Sequence, residues 1–208
     1  MTILVEPRIQ IEPTRRRINV DEYYAMAEAG ILGTDERVEL IDGEIITMAP
    51  IGDEHRASVD TGNHFLSRFV GDKAIVSVQS HVRLDDHHHP EPDLMLLEWR
   101  EDFYRYTPPG PEEVLLLIEV SDSSLSYDRN VKLPLYAQFN IPEVWIANIS
   151  DRVVETYTHP VNGRYTAFRT YSPGEVVSPG AFDDVEIPVS RFIGAMSDKR
   201  EDNRPASG

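Results

Sequence analysis

The chain has 208 residues, with 20 Lys+Arg against 36 Asp+Glu, which gives a formal net charge of −16 at pH 7. At this length a sizeable core can form without staples, and 40% hydrophobic with 27% charged residues excludes wholesale disorder and a fibrous repeat. Cys is 0, so disulfides, thiolate zinc sites and cysteine nucleophiles are excluded, and any metal must sit on oxygen or imidazole.

The acidity argues against a phosphate-hugging DNA coat protein, because each phosphate contact needs a Lys or Arg. Apolar runs such as Val114 to Ile118 fall far short of the roughly 20 residues that span a bilayer. The first eleven residues lack the basic-then-apolar layout of a secretory signal, so a cytoplasmic location is expected.

In chain order, residues 1–17 hold Pro7, Pro13 and the triplet Arg15-Arg16-Arg17, and read as a flexible arm. Residues 18–196 read as one domain and 197–208 as a disordered tail. A helix opens after Asn19 and stops at Gly30. Val38 to Met48 has the pattern of a hairpin around Asp42-Gly43. A second helix is expected from Asp53 to Val70, with Val59, Phe65, Leu66 and Phe69 turned to the core.

Ala74 to Leu84 and Pro92 to Leu97 read as strands joined by a polar turn, Asp85 to Pro90. Val114 to Ser121 is a strand apolar enough to be covered on both faces. A helix over Asp128 to Phe139, with Asp128 as its cap, precedes a short strand at Glu143 to Asn148. Val153 to Tyr157 and Tyr165 to Tyr171 form an antiparallel pair around Asn162-Gly163, and short elements follow near Val176 and from Val185 to Phe192. The order of elements says mixed α/β.

Polar residues that interrupt apolar strands are the informative signal. Glu119 sits inside Leu115 to Val120, where an unpaired carboxylate is costly to bury, so it requires a partner. Strand alternation places it with Leu117 and Ser121, opposite Ile118 and Val120. Asp93 follows Pro92 at the start of a strand. Two such carboxylates converging on one point make a hard-oxygen site for Mg²⁺ or Mn²⁺; the bland alternative is a buried salt bridge. Lys132, in the helix after Glu119, is positioned to orient or help deprotonate a nucleophilic water. The run His87-His88-His89 tempts a metal reading, but three adjacent imidazoles in a turn cannot all face one ion. Tyr127, Tyr136 and Trp145 read as core aromatics.

The run Val38 to Glu44, His55 at the next helix, Glu91-Pro92-Asp93-Leu94, Leu117 to Ser121, Asp128 to Lys132, Leu135-Tyr136-Ala137 and Ile141 to Ile146 together resemble the Uma-type restriction-endonuclease family of the PD-(D/E)XK nuclease superfamily. The resemblance spans roughly Ile18 to Phe192. It implies a restriction-endonuclease-like core, a twisted mixed β-sheet flanked by helices, and Mg²⁺-dependent (or Mn²⁺-dependent) hydrolysis of DNA by metal-activated water. Asp93 and Glu119 match the superfamily's two acids and would hold the ion, with the Val120 carbonyl as a further ligand. Ser121 stands where the superfamily's strand lysine is expected, and Lys132 matches its migrated position. Glu39 matches an additional acidic position, and His55 a residue near the metal or the scissile phosphate.

Pro134 sits inside the helix that should carry Lys132, where proline removes a backbone bond. A homodimer is the expected assembly for cutting two strands. The readings that compete are a catalytically degenerate DNA-associated or regulatory module and a metal-dependent phosphodiesterase acting on RNA or small nucleotides. A basic cleft built from Arg15 to Arg17, Arg56, Arg83 and Arg129 would favour DNA.

Overall fold

The computed structural model describes residues 15–33 and 35–193; the sequence readings for residues 1–14 and 197–208 lie outside them. Helix α1 spans Val20–Glu28, and its start is written in the sequence. Asn19 accepts the Glu22 N–H, and Glu22 reaches back to the Asn19 N–H, a reciprocal cap that satisfies two otherwise orphaned donors. Strands β1 (Val38–Ile41) and β2 (Glu44–Thr47) pair antiparallel. Between them Asp42 and Gly43 take φ of 53° and 71°, the left-handed pair a two-residue hairpin needs. Helix α2 spans Asp53–Val70 as expected. Val59 and Leu66 are buried and Phe65 is packed against the core, but Phe69 lies 38% exposed, a correction to its reading as core.

Strand β3 is Ala74–Val78, β4 is Leu94–Glu98 and β5 is Val114–Ser121. The strand expected to run to Leu84 therefore ends six residues early. Gln79 has a φ of 44°, which breaks the extended path, and residues 79–93 form a loop fastened to β1 by mutual Leu40–His89 backbone bonds. Asp93 stands just before β4 rather than inside it.

The helix after β5 begins earlier than expected. It comprises α3 (Leu125–Tyr127), a π-helical turn over Asp128–Lys132, and α4 (Leu133–Gln138). Asp128 is thus an interior residue, not the cap. The wide turn also accommodates Pro134: the Leu133 N–H reaches back five residues to the Asp128 carbonyl, so the regular four-residue ladder is already interrupted where proline has no donor.

The remaining strands are β6 (Glu143–Asn148), β7 (Val153–Val161) and β8 (Arg164–Tyr171), then β9 (Val176–Val177), β10 (Ile187–Pro188) and the short α5 (Val189–Phe192). β7 runs four residues beyond the expected Tyr157. The main sheet has the order β3-β4-β5-β6-β7-β8, with β5 and β6 parallel and the other neighbours antiparallel.

Alternation along β5 divides the core. Leu116, Ile118 and Val120 face the α2 layer with Val59, Leu66, Trp145 and Phe192. Leu117 faces the other layer with Met95, Leu135, Tyr136 and Ile141. Gly62 lets α2 approach closely, since a Cβ there would meet Leu94 and Phe192 at 2.7 Å. This leaves the carboxyl end of β5 facing the π turn, with the hairpin β1–β2 beside it.

Candidate active site

Asp93, Glu119, Lys132, Glu39, His55 and Val120 all line one cavity of about 250 Å³. The structure thus brings together every residue singled out from the sequence for chemistry. Lys132 is central and buried, at 2% exposure. Its ammonium lies 3.1 Å from Glu39 Oε2 and 3.2 Å from Glu119 Oε1. Burial works to lower the Lys132 pKa, but the carboxylates of Glu119, Glu39 and Asp128 outweigh it and hold the group protonated well above its ordinary range. An ammonium in this position can donate a hydrogen bond and stabilise charge, which suits orienting a nucleophilic water rather than taking its proton.

Each glutamate has a second anchor. The Tyr136 hydroxyl donates to Glu119 Oε1 at 2.6 Å, and the Tyr127 hydroxyl donates to Glu39 Oε1 at 3.0 Å. Glu39 Oε2 also accepts the Glu91 backbone N–H at 3.3 Å. Burial pushes the Glu119 carboxyl well above the usual carboxylate range, with Lys132 pulling the other way and the charges of Asp128 and Asp93 adding to the rise. Tyr136 is raised for the same reasons, burial first and Glu119 next. Tyr136 is core, as expected, and Tyr127 is half-buried; in addition, both carry hydroxyls that hold site acids. Trp145 is core, as expected.

Asp93 is fixed from two sides. Its Oδ2 accepts the Val120 N–H at 2.9 Å and lies 3.0 Å from His55 Nε2, while among the described residues Oδ1 meets only the Gln79 amide, at 3.4 Å. His55 Nδ1 is buried and has no hydrogen-bond partner among the described residues. Asp128, missed in the sequence, lines the same cavity and accepts the hydroxyls of Ser121 and Ser124 at 2.6 Å each. Asp128, Lys132 and Tyr136 are spaced by four, and that spacing was the available signal for Asp128 and Tyr136.

The donor set suits a hard divalent cation. Glu119 Oε2 carries no hydrogen bond among the described residues, and Asp93 Oδ1 has one long bond, so both carboxylates keep an oxygen to offer. Among the described residues no three acidic or histidine side chains stand together as a complete ion cage. Mg²⁺ commonly takes one or two carboxylates and fills its remaining positions with water and substrate phosphate. Asp93, Glu119 and the Val120 carbonyl are the residues that would hold it.

The arginines whose convergence would favour DNA form no basic cleft among the described residues. Arg15, Arg16 and Arg17 are paired with Glu44, Glu22 and Asp42. Arg56 pairs with Asp53, Arg83 with Asp21 and Asp86, and Arg129 with Glu155. None of the six lines the cavity, whose cationic side chains are Arg37 and Lys132.

The histidine triplet does not converge either. His87 Nδ1 contacts the Ile18 carbonyl, His88 Nδ1 contacts Asp85, and His89 Nε2 lies 2.8 Å from the Tyr24 hydroxyl. Burial, then the neighbouring His81, pushes His89 down from 6.5 to about 3. The unfolded chain therefore takes up this proton first, so stability present above pH 6.5 is lost as pH falls toward 3. Replacing His89 by leucine should flatten that part of the acid limb in melting temperatures taken across the range; an unchanged acid limb would contradict the buried neutral imidazole.

A mixed sheet flanked by helices, with two acids beside a buried lysine at its centre, defines a restriction-endonuclease-like fold. The sequence model of the Uma2 family, described as "Putative restriction endonuclease", matches residues 20–190, and the chain belongs to that family. A crystal structure of a protein from Anabaena variabilis, described as a putative nuclease belonging to DUF820, is similar with a TM-score of 0.65 and 16% sequence identity. The match covers 85% of this chain and 97% of that one. A comparison with curated proteins gave no match. No helix among the described residues is long and apolar enough to cross a membrane.

Proposed function

We propose that this chain is a divalent-metal-dependent endonuclease that hydrolyses DNA phosphodiester bonds, working in the cytoplasm as a homodimer. The reading is carried by the arrangement of Asp93, Glu119 and Lys132 on one cavity wall, with an oxygen of each carboxylate left available. Family membership supports the nuclease class. When bound, Mg²⁺ or Mn²⁺ supplies Lewis acidity and lowers the pKa of water.

The chain's own residues do the rest. Asp93 and Glu119 present oxygens, and the Val120 N–H and the His55 ring hold Asp93 in its rotamer. Lys132 points a fixed positive charge at the place where negative charge grows on phosphate, held there by Glu39 and Glu119. Burial spares these groups the cost of reorienting water as charge develops.

Metal binding has its own readout. An ion that binds the folded chain and not the unfolded one should stabilise it by about 2.7 kcal/mol at a hundredfold excess over Kd. We expect Mg²⁺ or Mn²⁺ to raise the melting temperature of the wild type and to leave the Asp93→Ala variant unmoved. Equal wild-type midpoints with and without metal would remove the ion from the reading.

The pairing of Arg15 to Arg17, Arg56, Arg83 and Arg129 with acids away from the cavity favours a second reading, a metal-dependent phosphodiesterase acting on RNA or small nucleotides, because a small ligand needs fewer phosphate contacts than a duplex does. Parallel digestion of duplex DNA, RNA and a dinucleotide separates the two.

A further inference from the structure

The hairpin β1–β2 has two chemically different faces. Its register sets Glu39 opposite Ile46, and the Met48 N–H bonds the Arg37 carbonyl at 2.9 Å, one step beyond the paired strands. Directly opposite residues share a face, and so do residues two apart along a strand. Arg37, Glu39, Ile46 and Met48 therefore lie on one side, and all four line the site cavity. Val38, Leu40 and Ile45 take the other side and pack with Val20 and Tyr23 of α1. Docking on α1 accounts for that second face and leaves the apolar residues of the cavity side without a reason.

The cavity wall continues from Met48 through Pro50 to Ile51. Met48 is half-buried and Ile51 is 37% exposed, and among the described residues neither joins an apolar cluster of the core. A metal ion has no use for such a surface, and neither has a phosphate; a nucleobase has. The same face supplies a cation. Of the two that line the cavity, Lys132 is held between Glu39 and Glu119. Arg37 gives only Nη2 to Glu91, at 3.0 Å, and its Nε and Nη1 have no hydrogen bond among the described residues. A guanidinium with N–H groups to spare is matched to phosphate oxygens.

From these features we infer that the cavity side of the hairpin is a subsite for one unpaired nucleotide: Met48, Pro50 and Ile51 take its base, and Arg37 takes the phosphate next to the one that is cut. The inference rests on the reading of this cavity as the place where a phosphodiester is hydrolysed, and it names what that cavity receives, a single strand of DNA or RNA.

The size agrees, since a cavity of about 250 Å³ stands at the small end of ligand sites and suits one nucleotide rather than a base pair. A duplex reaches the acids only by releasing a nucleotide from its stack, which costs it affinity. Apolar contact with the face of a base reads no donor pattern, so the subsite accepts any base. It also explains how a chain of net charge −16 holds a polyanion: the base supplies the affinity, and few phosphate contacts are needed.

Fluorescence anisotropy of the full chain with a labelled oligothymidine of about ten nucleotides, in Ca²⁺ to neutralise the acids, tests the subsite apart from cleavage. Oligothymidine should bind at least about tenfold tighter than a blunt duplex of the same length, and than an abasic strand with the same phosphates. Oligouridine in parallel tells RNA from DNA. Met48→Gln with Ile51→Gln should cost the bound strand about tenfold, and Ile51→Gln alone, at an exposed position, should cost part of that with an unchanged melting temperature. Arg37→Met should make the dependence of log Kd on log salt shallower by about 0.7, one phosphate's worth. Phe168→Gln, on the outer strand β8, should change nothing. An abasic strand or a duplex that binds as tightly as oligothymidine overturns the inference, and so does full affinity in the Ile51→Gln and Met48/Ile51 variants. Strand binding with these dependences and no cleavage by any metal would keep the subsite and sink the nuclease reading. Metal-dependent cleavage that ignores Arg37, Met48 and Ile51 would do the reverse.

Discussion

Replacing Lys132 by methionine should destabilise the protein by about 3–5 kcal/mol at neutral pH, because Glu39 and Glu119, exposed by 0% and 3%, lose the ammonium between them. For a chain of this size that is a fall in melting temperature of roughly 10 °C. The pH dependence has a definite sign. Without Lys132 the Glu119 carboxyl, already raised by burial, loses the charge that pulls it down, so the variant's stability should recover as pH falls toward the unfolded carboxylate range. Adding Glu39→Gln should restore part of the loss, since it removes one of the two unpaired charges. Cleavage, measured at a temperature where the variant stays folded, should drop on the order of 10²–10⁴. A Lys132→Met protein as stable as wild type would contradict the buried triad, and one that cuts at the wild-type rate would remove Lys132 from the chemistry.

Replacing Asp93 should separate charge from geometry. In Asp93→Asn the side-chain oxygen can still accept the Val120 N–H, so the fold should hold while the ionised ligand is gone. In Asp93→Ala the Val120 N–H is left without its acceptor, which adds about 1–3 kcal/mol of destabilisation. Both variants should lose the metal-induced rise in melting temperature and on the order of 10²–10³ or more in rate. If Asp93→Asn keeps both, Asp93 is only a cap on the end of β5.

Much of this site was legible in the sequence because its residues break local rules. A glutamate inside Leu115 to Val120 demands a partner, and the structure supplies Lys132 and Tyr136. The helix start after Asn19 and the Asp42-Gly43 turn are equally local and fell where expected. What the sequence did not disclose depends on tertiary context. Gln79 leaves the extended region and cuts β3 short because the 79–93 loop must reach back to β1. The wide turn over Asp128–Lys132 resolves the conflict between Pro134 and a continuous helix, and it has no one-residue signature. Tyr136 is the core aromatic expected, but only three-dimensional placement shows its hydroxyl and that of Tyr127 meeting Glu119 and Glu39. Whether the arginines would converge on the site was likewise not legible: the surplus of acidic residues gives each of them a nearer partner.

The most direct test of the central claim is a cleavage assay of the full chain on duplex DNA with EDTA, Mg²⁺ or Mn²⁺, run beside Asp93→Asn. Cleavage by the wild type that requires the metal and disappears in Asp93→Asn is the result predicted here. Absence of cleavage with either metal, on DNA, RNA and dinucleotide alike, or cleavage that Asp93→Asn retains, would contradict it.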